Sequence, residues 1–452
     1  MKAFDKHNSL QNELAFGVRK KNMSLNEQQI GKLGVMNSNQ SSLLMQQILD
    51  RNNLHRALKQ VQRNKGAPGV DYMTVDDLPE YLKHNWLQVR DQLLKGTYKP
   101  KPVRRVEIPK PNGAKRKLGI PTVMDRFIQQ AIAQVLSPIW EEKFHPNSFG
   151  FRPHKSAHTA IRYVQYYARQ GKTTVVDLDL QSFFDEVNHD RLMSKLKSNG
   201  TQGDVMKLIN SYLKTPVLSE QGRIKTTKGV PQGGPLSPLL SNIVLNEMDW
   251  ELHARGLSFV RYADDCQILV GSQRAGERIL ANLTHFIEKK LKLKVNQEKS
   301  AVDHISNRSF LGFTLIRKDL RIKVSAKAQV NLKTKIRLIT RRTRGHAFLS
   351  VVSELRKSLL GWKAYFDISE VLSPLKDLDK WIRRKLRCYL LKQWGRSGYR
   401  KLRQLGIDRR LAWNTAKSAH GPWRLSHSPA LYKALPNRYF RGLGLPELAA
   451  RK

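Results

Sequence analysis

A pair of adjacent aspartates between two β-prone segments constrains the fold of this chain more than any other feature. Asp264 and Asp265 follow the apolar run 257–260 and Arg261-Tyr262-Ala263, and they precede the apolar run 266–270. Two such segments joined by Ala-Asp-Asp predict a tight hairpin, because aspartate tolerates turn dihedrals that branched residues avoid. Neighbouring carboxylates repel each other and persist best where a divalent cation neutralises them. The pair is a candidate metal site, and a solvated turn is the alternative.

The balance of charge identifies the kind of partner. The 452 residues include 81 Lys and Arg against 37 Asp and Glu, a net charge of +44. This excess is larger than solubility requires and predicts a polyanionic partner. No segment approaches the roughly 20 apolar residues of a spanning helix, so we expect a soluble intracellular protein without a membrane partner. Cys266 and Cys388 form no CxxC pair, which argues against a disulfide framework and a structural zinc site.

A second acidic strand end lies upstream of the hairpin. Residues 173–180 are β-prone and contain Asp177 and Asp179, which share one face because strand side chains alternate. One of these two is the expected partner of the Asp264-Asp265 pair. Asp185 and Asp190, which follow, are predicted to cap helices.

A basic hairpin is predicted between residues 103 and 121. Its two strands flank Pro111-Asn112-Gly113. Lys110 and Arg116 straddle this turn, where two cations can converge on one triphosphate. A solvated basic face explains the same residues equally well.

Glycines and prolines mark a rigid loop at residues 228–242. They predict a fixed backbone before a helix that begins near Ser237. Such a loop beside a helix N-terminus lets a backbone approach a sugar or phosphate. An ordinary connection has a similar composition.

Most of the remaining chain has helical periodicity. Helices are predicted over residues 43–63, 75–94, 123–144 and 276–293. Residues 321–410 carry 25 Lys and Arg against 6 Asp and Glu. Within them, residues 381–394 are predicted to form a helix with apolar residues on one stripe and cations on the other. We expect that helix to face nucleic acid, with a membrane or calmodulin-binding role as the alternative. Aromatics beside a cation in loop 147–153 suit single-stranded nucleic acid or a buried core.

In their order, these segments resemble the reverse transcriptases encoded by group II introns. The matching segments are residues 118–121, 148–153, 179–185, 229–238, 262–265 and 361–366, and the resemblance runs from about residue 43 to the C-terminus. It implies an α+β right-hand polymerase, with fingers and palm built on antiparallel sheet, then a helical thumb and a short helical DNA-binding tail. The expected bounds are a polar leader at 1–40, fingers at 41–165, palm at 166–318, a thumb or maturase domain at 319–400, and the tail at 401–452.

The resemblance also implies the chemistry of the site. A primer 3′-hydroxyl would attack the α-phosphate of a deoxynucleoside triphosphate with the help of two Mg²⁺ ions, for which Mn²⁺ is a possible substitute. Asp179, Asp264 and Asp265 would be the catalytic metal ligands. The sequence does not decide which of Asp264 and Asp265 touches the metal.

Five further residues are expected at the incoming nucleotide. Phe184 would lie against the sugar and exclude a 2′-hydroxyl, unless it is a core residue, a role for which Phe183 serves as well. Gln232 would contact the nucleotide or template, and Lys110 and Arg116 would bind the triphosphate. Lys299 matches the lysine that follows the palm, with a solvated lysine as the alternative.

The implied partners are group II intron RNA, an RNA template with a DNA primer, target DNA and deoxynucleoside triphosphates. The expected function is an RNA-dependent DNA polymerase that assists splicing and copies the intron into DNA during target-primed retrohoming, in the cytoplasm and at the nucleoid of a bacterium. The oligomeric state is open. Many relatives end in a nuclease domain with paired CxxC motifs, which this sequence lacks, so a pre-existing primer strand is expected. The alternatives are a domesticated reverse transcriptase in phage defence or spacer acquisition, and a maturase that only assists splicing.

Overall fold

Helices and short sheets alternate along the chain in the computed structural model, which describes residues 43–109, 115–201, 203–220 and 222–450. The strands are β1 (Val103–Pro109), β2 (Lys115–Ile120), β3 (Thr174–Leu178), β4 (Val217–Ser219), β5 (Gly222–Ile224), β6 (Ser258–Tyr262), β7 (Asp265–Val270), β8 (Ala301–His304), β9 (Phe313–Leu315) and β10 (Ile322–Val324). The strand orders are β2-β1-β4-β5, β6-β7-β3-β8 and β10-β9. The fold is therefore α+β, as predicted.

Residues 43–48 are also helical. The other α-helices are α1 (Arg51–Asn64), α2 (Leu78–Leu94), α3 (Val123–Glu141), α4 (Ala157–Arg169), α5 (Phe183–Glu186), α6 (His189–Ser198), α7 (Gly203–Leu213), α8 (Ser237–Ala254), α9 (Gln273–Phe286), α10 (Ala326–Ile339), α11 (Phe348–Phe366), α12 (Ser373–Trp394), α13 (Gly398–Gln404), α14 (Arg409–Ala416), α15 (Pro422–Leu425), α16 (Pro429–Ala434) and α17 (Asn437–Gly442). A π-helical turn spans Ile287–Leu291, and a 3-10 turn spans Gly395–Ser397.

The described chain divides into two compact units. The first contains the described residues up to 160 together with 174–302, and the second contains 161–173 together with the described residues from 303 onward. The chain thus leaves the first unit for a short segment and returns to it. The domain bounds expected from the resemblance stay a prediction.

Most residues of the strands β3, β6 and β7 are buried. Val175, Val176 and Ile268 are fully buried, as in strands that are covered on both faces. β3 and β6 each pair antiparallel with β7. The carboxyl end of β3 and the hairpin between β6 and β7 therefore meet at one edge of the sheet.

The basic hairpin is formed by β1 and β2, which pair antiparallel with Ile108 opposite Arg116. β1 also pairs parallel with β4. Lys110 and the predicted turn at Pro111-Asn112-Gly113 lie outside the described residues, so their predicted role stays untested.

The helix predicted over residues 43–63 is in fact two helices. Residues 43–48 are helical, and α1 begins at Arg51. Asp50 separates them because its Oδ1 accepts the backbone N–H groups of Asn52 at 2.9 Å and Asn53 at 3.1 Å. A side chain that satisfies these free N–H groups starts a new helix.

The prediction that Asp185 and Asp190 cap helices is wrong. Both lie inside the first turn, Asp185 in α5 and Asp190 in α6. The N-cap of α6 is Asn188, whose side chain accepts the N–H of Arg191 at 2.9 Å. The two acids still favour their helices, because negative charge near a helix N-terminus is stabilising.

The separation of cations from apolar residues predicted for 381–394 holds only in part. Arg387 of α12 is 2% exposed, and its Nε and Nη2 donate to the Leu435 carbonyl at 3.0 and 2.9 Å. Its guanidinium lies 4.4 Å from the centroid of the Tyr432 ring. Arg387 therefore anchors the C-terminal segment and does not face solvent.

Both cysteines are free and buried. Burial raises the pKa of the Cys266 thiol and of the Cys388 thiol above their ordinary values.

Among the described residues, no helix combines the length and apolar character needed to cross a bilayer.

Candidate active site

The site is built on the β6-β7 hairpin, which has a two-residue turn. Tyr262 pairs with Asp265, so Ala263 and Asp264 form the turn between them. Ala263 has φ +58°, a left-handed conformation that is strained for a residue with a Cβ. The sequence prediction relied on aspartate to tolerate the turn, whereas the strained residue is the alanine.

A buried arginine network holds this strained turn. Arg261 is 0% exposed and forms a two-pronged ion pair with Asp249 of α8, at 2.7 Å to Oδ1 and 2.5 Å to Oδ2. Its Nη1 donates to the Ala263 carbonyl at 2.8 Å and to Asn242 Oδ1 at 3.0 Å. Its Nη2 also donates to Ser148 Oγ at 2.7 Å. Sequence reasoning missed this role, although a charged residue inside an apolar strand was a signal for it.

Loop 147–150 supports the hairpin from behind. The N–H of Phe149 donates to the Arg261 carbonyl at 2.8 Å, and the Arg261 N–H donates to the Asn147 carbonyl at 3.0 Å. A Cβ on Gly150 would overlap the backbone N of Ala263. Phe149 is 1% exposed. Of the two roles that the sequence left open for the aromatics of this loop, Phe149 therefore has the buried one.

Three aspartates lie at the same edge of the sheet. Leu178 pairs with Cys266, so the next residue of the chain, Asp179, falls opposite Asp265 at the hairpin. The pKa of Asp265 is raised to about 6, first by loss of hydration and then by the negative charges of Asp264, Asp177 and Asp179. Asp265 is exposed, so water screens part of this repulsion. Repulsion among these groups indicates a site suited to positive charge.

Asp179 is held by the turn at residues 296–300. Its carboxylate Oδ2 accepts a hydrogen bond from Asn296 Nδ2 at 2.9 Å and lies 3.4 Å from Lys299 Nζ. Its backbone N–H donates to Ser300 Oγ at 3.0 Å. Lys299, which the sequence assigned to the nucleotide, is 66% exposed and forms an ion pair with Asp179.

The donor chemistry at the sheet edge fits a hard divalent cation. Such ions take oxygen ligands, above all carboxylates, and Asp179, Asp264 and Asp265 supply them on adjoining strand ends. In the part of the chain that the structure describes, no group of three or more His, Cys, Asp or Glu side chains is arranged so that it could hold a metal ion. Some of these cations are held by one or two protein carboxylates together with waters and substrate phosphates.

A cavity of about 380 Å³ is lined by Phe184, Gln232 and residues of the sheet that contains the basic hairpin. Phe184 is half-buried, whereas Phe183 is 2% exposed and belongs to the core. Arg105 and Lys117 also line this cavity; sequence reasoning missed them because the hairpin has many similar cations. Arg116 lies on β2, and its side chain is outside the described residues.

Close backbone contacts fix the loop that carries Gln232. The Gln232 carbonyl accepts the N–H of Gly119 at 2.9 Å, and the N–H of Val230 donates to the Phe184 carbonyl at 2.6 Å. Gly233 has φ +131°, and a Cβ there would overlap the Gly119 carbonyl oxygen. Backbone hydrogen bonds therefore hold the loop between β2 and α5. The close approach to Gly119 explains why position 233 is a glycine.

Comparisons with known proteins agree with this arrangement. Residues 108–315 match the reverse transcriptase (RNA-dependent DNA polymerase) family, and residues 330–406 match the group II intron maturase-specific domain. The chain is 38% identical to protein YkfC of Escherichia coli strain K12 over 299 residues, which cover 57% of this chain and 78% of YkfC. It is 31% identical to the group II intron-encoded protein LtrA of Lactococcus lactis subsp. cremoris over 341 residues, which cover 60% of this chain and 56% of LtrA.

A third relative, the putative COX1/OXI3 intron 1 protein of Saccharomyces cerevisiae, is 27% identical over 307 residues, which cover 55% of this chain and 36% of the yeast protein. The chain thus spans about half the length of LtrA and a smaller share of the yeast protein. A reverse transcriptase region and a maturase-specific region follow one another in the described chain, and the carboxylate hairpin lies inside the first. The chain belongs to the group II intron reverse transcriptases and maturases, and is an RNA-directed DNA polymerase that carries the maturase-specific domain.

Proposed function

We propose that this chain copies its group II intron RNA into DNA from a primer strand at a target site, in target-primed retrohoming, and assists splicing of the same RNA. The observation that carries the proposal is the position of Asp179, Asp264 and Asp265 at one sheet edge, where loss of hydration and then the neighbouring carboxylates raise the pKa of Asp265 to about 6. A group of carboxylates that repel each other is what a polymerase needs to hold divalent cations.

The proposed architecture is a right hand. Fingers at 41–165 and palm at 166–318 would hold the template and primer, followed by a thumb at 319–400 and a DNA-binding tail at 401–452. Support comes from the two family matches, since the reverse transcriptase match ends at residue 315 and the maturase match begins at residue 330.

In the proposed mechanism Asp179, Asp264 and Asp265 hold two Mg²⁺ ions, for which Mn²⁺ can substitute. When bound, these ions supply Lewis-acid stabilisation of the attacking and leaving oxygens in phosphoryl transfer. The side chains of this chain then orient the reactants, which is the main task of a protein in this reaction.

The nucleotide would lie in the cavity of about 380 Å³ that Phe184 and Gln232 line. Phe184 would pack against the sugar and leave no room for a 2′-hydroxyl. Gln232 is on a loop fixed by its backbone bond to Gly119, so it can contact the nucleotide or template at a constant position. Lys110 and Arg116 would bind the triphosphate, and Lys299 would lie at the same nucleotide site.

The proposed partners follow from the charge of +44 and from the maturase match. They are intron RNA, an RNA template with its DNA primer, target DNA and deoxynucleoside triphosphates. In a bacterial cell such a protein would work in the cytoplasm at the nucleoid.

Primer extension tests the proposed chemistry. The full chain is given an RNA template, a DNA primer, deoxynucleoside triphosphates and Mg²⁺, beside the variants Asp264→Ala and Asp190→Ala. Asp190 is an exposed residue of α6, so its variant controls for loss of one carboxylate elsewhere. We expect DNA from the unaltered chain and from D190A, and none from D264A. Absence of product from the unaltered chain, or full activity of D264A, would overturn the proposal.

A further inference from the structure

The turn at residues 296–300 holds Asp179 through both its backbone and its carboxylate. Asn296 contributes twice, because its N–H donates to the Asp179 carbonyl at 2.8 Å and its Nδ2 donates to Asp179 Oδ2 at 2.9 Å. Ser300 accepts the Asp179 N–H at 3.0 Å.

The turn itself is internally fixed. The N–H groups of Lys299 and Ser300 donate to the Asn296 carbonyl at 3.3 and 2.9 Å. Just before it, Val295 forms an isolated bridge with Leu180, and Gln181 N–H donates to the Lys294 carbonyl at 2.8 Å. The amide of Asn296 therefore starts from a backbone that is tied to Asp179 and to the two residues that follow it.

Two side chains of this turn contact Asp179 Oδ2, Asn296 through an amide hydrogen bond and Lys299 through an ion pair. Lys299 Nζ is 3.4 Å from Asp179 Oδ2 and its side chain is 66% exposed, so water screens this ion pair and long-chain entropy opposes it. Asn296 is half-buried and has a short side chain. Its bond to a charged acceptor is both shorter and less costly to order.

We propose that Asn296 is a positioning residue for Asp179: its amide fixes the carboxylate rotamer, so that the three aspartates present a preset group of oxygen ligands to a divalent cation. The inference rests on the proposed function, since it deepens the account of that same site. Groups that hydrogen-bond to metal ligands orient them, and loss of such a group typically weakens metal binding or activity by roughly 10- to 100-fold.

The primary test measures metal binding without any reaction. Mn²⁺ is titrated into the full chain without nucleic acid and followed by electron paramagnetic resonance, for the unaltered protein, Asn296→Leu and Asn296→Ser. Leucine keeps the branched shape of asparagine and loses the donor, while serine stays small and polar but does not reach as far. We expect both variants to bind Mn²⁺ roughly 10- to 100-fold more weakly.

Asn307→Leu is the matched control. Asn307 Nδ2 also donates to a carboxylate at 2.9 Å, that of Asp303, but in an exposed segment. We expect N307L to bind Mn²⁺ like the unaltered chain. Circular dichroism melting shows whether each variant is folded. The backbone N–H of residue 296 can still donate to the Asp179 carbonyl in N296L and N296S.

Primer extension then separates this inference from the proposed function. In the N296 variants we expect the Mg²⁺ concentration for half-maximal rate to rise, with an unchanged KM for template and primer and with the rate restored at high Mg²⁺. Unaltered Mn²⁺ binding by folded N296L and N296S would overturn the inference even if the unaltered chain makes DNA. Failure of the unaltered chain to make DNA, with weakened Mn²⁺ binding in the variants, would instead refute the proposed polymerase and leave the positioning role standing.

Discussion

At the scale of single residues, Phe183 and Phe184 show how neighbours in sequence take different roles. Phe183 is 2% exposed in the core, and its ring meets that of Phe184 edge-on at 5.2 Å between centroids. Phe184 is half-buried and lines the cavity that also contains Gln232. The core neighbour therefore fixes the ring that faces the cavity.

Replacing Phe184 should relax the choice of sugar. In Phe184→Ala the space left by the ring would admit a 2′-hydroxyl, so we expect incorporation of ribonucleotides relative to deoxynucleotides to rise by roughly 10- to 200-fold. Single-nucleotide primer extension with matched ribo- and deoxynucleotides measures the ratio. Phe184→Tyr keeps the ring and is the control. An unchanged ratio in F184A would show that another group excludes the hydroxyl.

His145 predicts a pH dependence of stability. Burial first, and then the neighbouring His253, lower the pKa of His145 from its ordinary 6.5 to about 3. The Asn147 N–H donates to His145 Nδ1 at 3.1 Å, and His145 Nε2 lies 3.2 Å from His253 Nδ1. The folded chain therefore keeps the ring neutral, while the unfolded chain protonates it below about pH 6.5.

The stability contributed by neutral His145 should be complete above pH 6.5 and decline as pH falls toward 3. Within this window each unit by which the pH falls lowers the free energy of unfolding by up to about 1.4 kcal/mol for the one proton that His145 takes up on unfolding. Urea unfolding of the unaltered chain and of His145→Gln at several pH values measures the slope. We expect a flatter slope in H145Q, even though this variant is less stable at pH 7, and equal slopes would contradict the assignment.

At the scale of elements, the β6-β7 hairpin depends on the buried pair of Arg261 and Asp249. Removing the arginine in Arg261→Met would leave Asp249 buried without a partner, which costs about 3–5 kcal/mol. We expect the midpoint of urea unfolding to fall accordingly, and polymerisation to fall further because Ala263 loses its support. Arg255→Met is the control, because Arg255 pairs with Glu251 at the surface at 2.7 Å and such pairs contribute about 0–1 kcal/mol. Similar losses in the two variants would contradict this account.

The loop that carries Gln232 gives a second prediction for an element. Gly233→Ala would push the loop away from β2, because the new Cβ would overlap the Gly119 carbonyl oxygen. We expect a raised KM for deoxynucleotides in primer extension. Gly256→Ala is the matched control, since Gly256 also has a positive φ, +68°, but nothing lies within 4 Å of the added Cβ. A G233A variant as active as G256A would show that the close approach does not matter.

Sequence reasoning found the elements that depend on local patterns. The hairpin around Ala263, the acidic end of β3 and the helix from Ser237 appear where apolar runs, aspartates and prolines predict them. It did not find the partners, because periodicity carries no information on which distant groups meet. Asn296 binds a carboxylate 117 positions away along the chain. Arg387 was assigned to a solvated stripe for the same reason, since its acceptor is the carbonyl of Leu435.

At the scale of the whole molecule, the two units share the chain in an interleaved order. Residues 161–173 belong to the second unit although the first unit continues after them. Gln165 Nε2 donates to the Leu320 carbonyl at 2.9 Å and to Glu370 Oε2 at 2.8 Å. Helical periodicity does not show which distant residues a helix contacts. A division into consecutive domains therefore groups α4 with the residues next to it in sequence, and it does not show that residues 161–173 belong to the second unit.

The charge of the whole chain predicts a salt dependence. With a net charge of +44, we expect binding of intron RNA to release many counterions. For about 6–10 phosphate contacts the affinity falls by roughly 10³- to 10⁵-fold between about 50 and 200 mM salt. Filter binding over this range measures the slope, while a constant melting temperature of the protein rules out unfolding. An affinity that does not change with salt would contradict phosphate recognition.

The two cysteines also determine how this protein can be studied in motion. Cys266 and Cys388 are the chain's only thiols, and both are buried with raised pKa values. Maleimides react with the exposed thiolate, so these native side chains react slowly. A cysteine introduced at an exposed position would therefore take up a fluorophore selectively, with both native residues left in place. Dye pairs attached in this way, one in each unit, make the distance between the units measurable by energy transfer while the enzyme copies RNA.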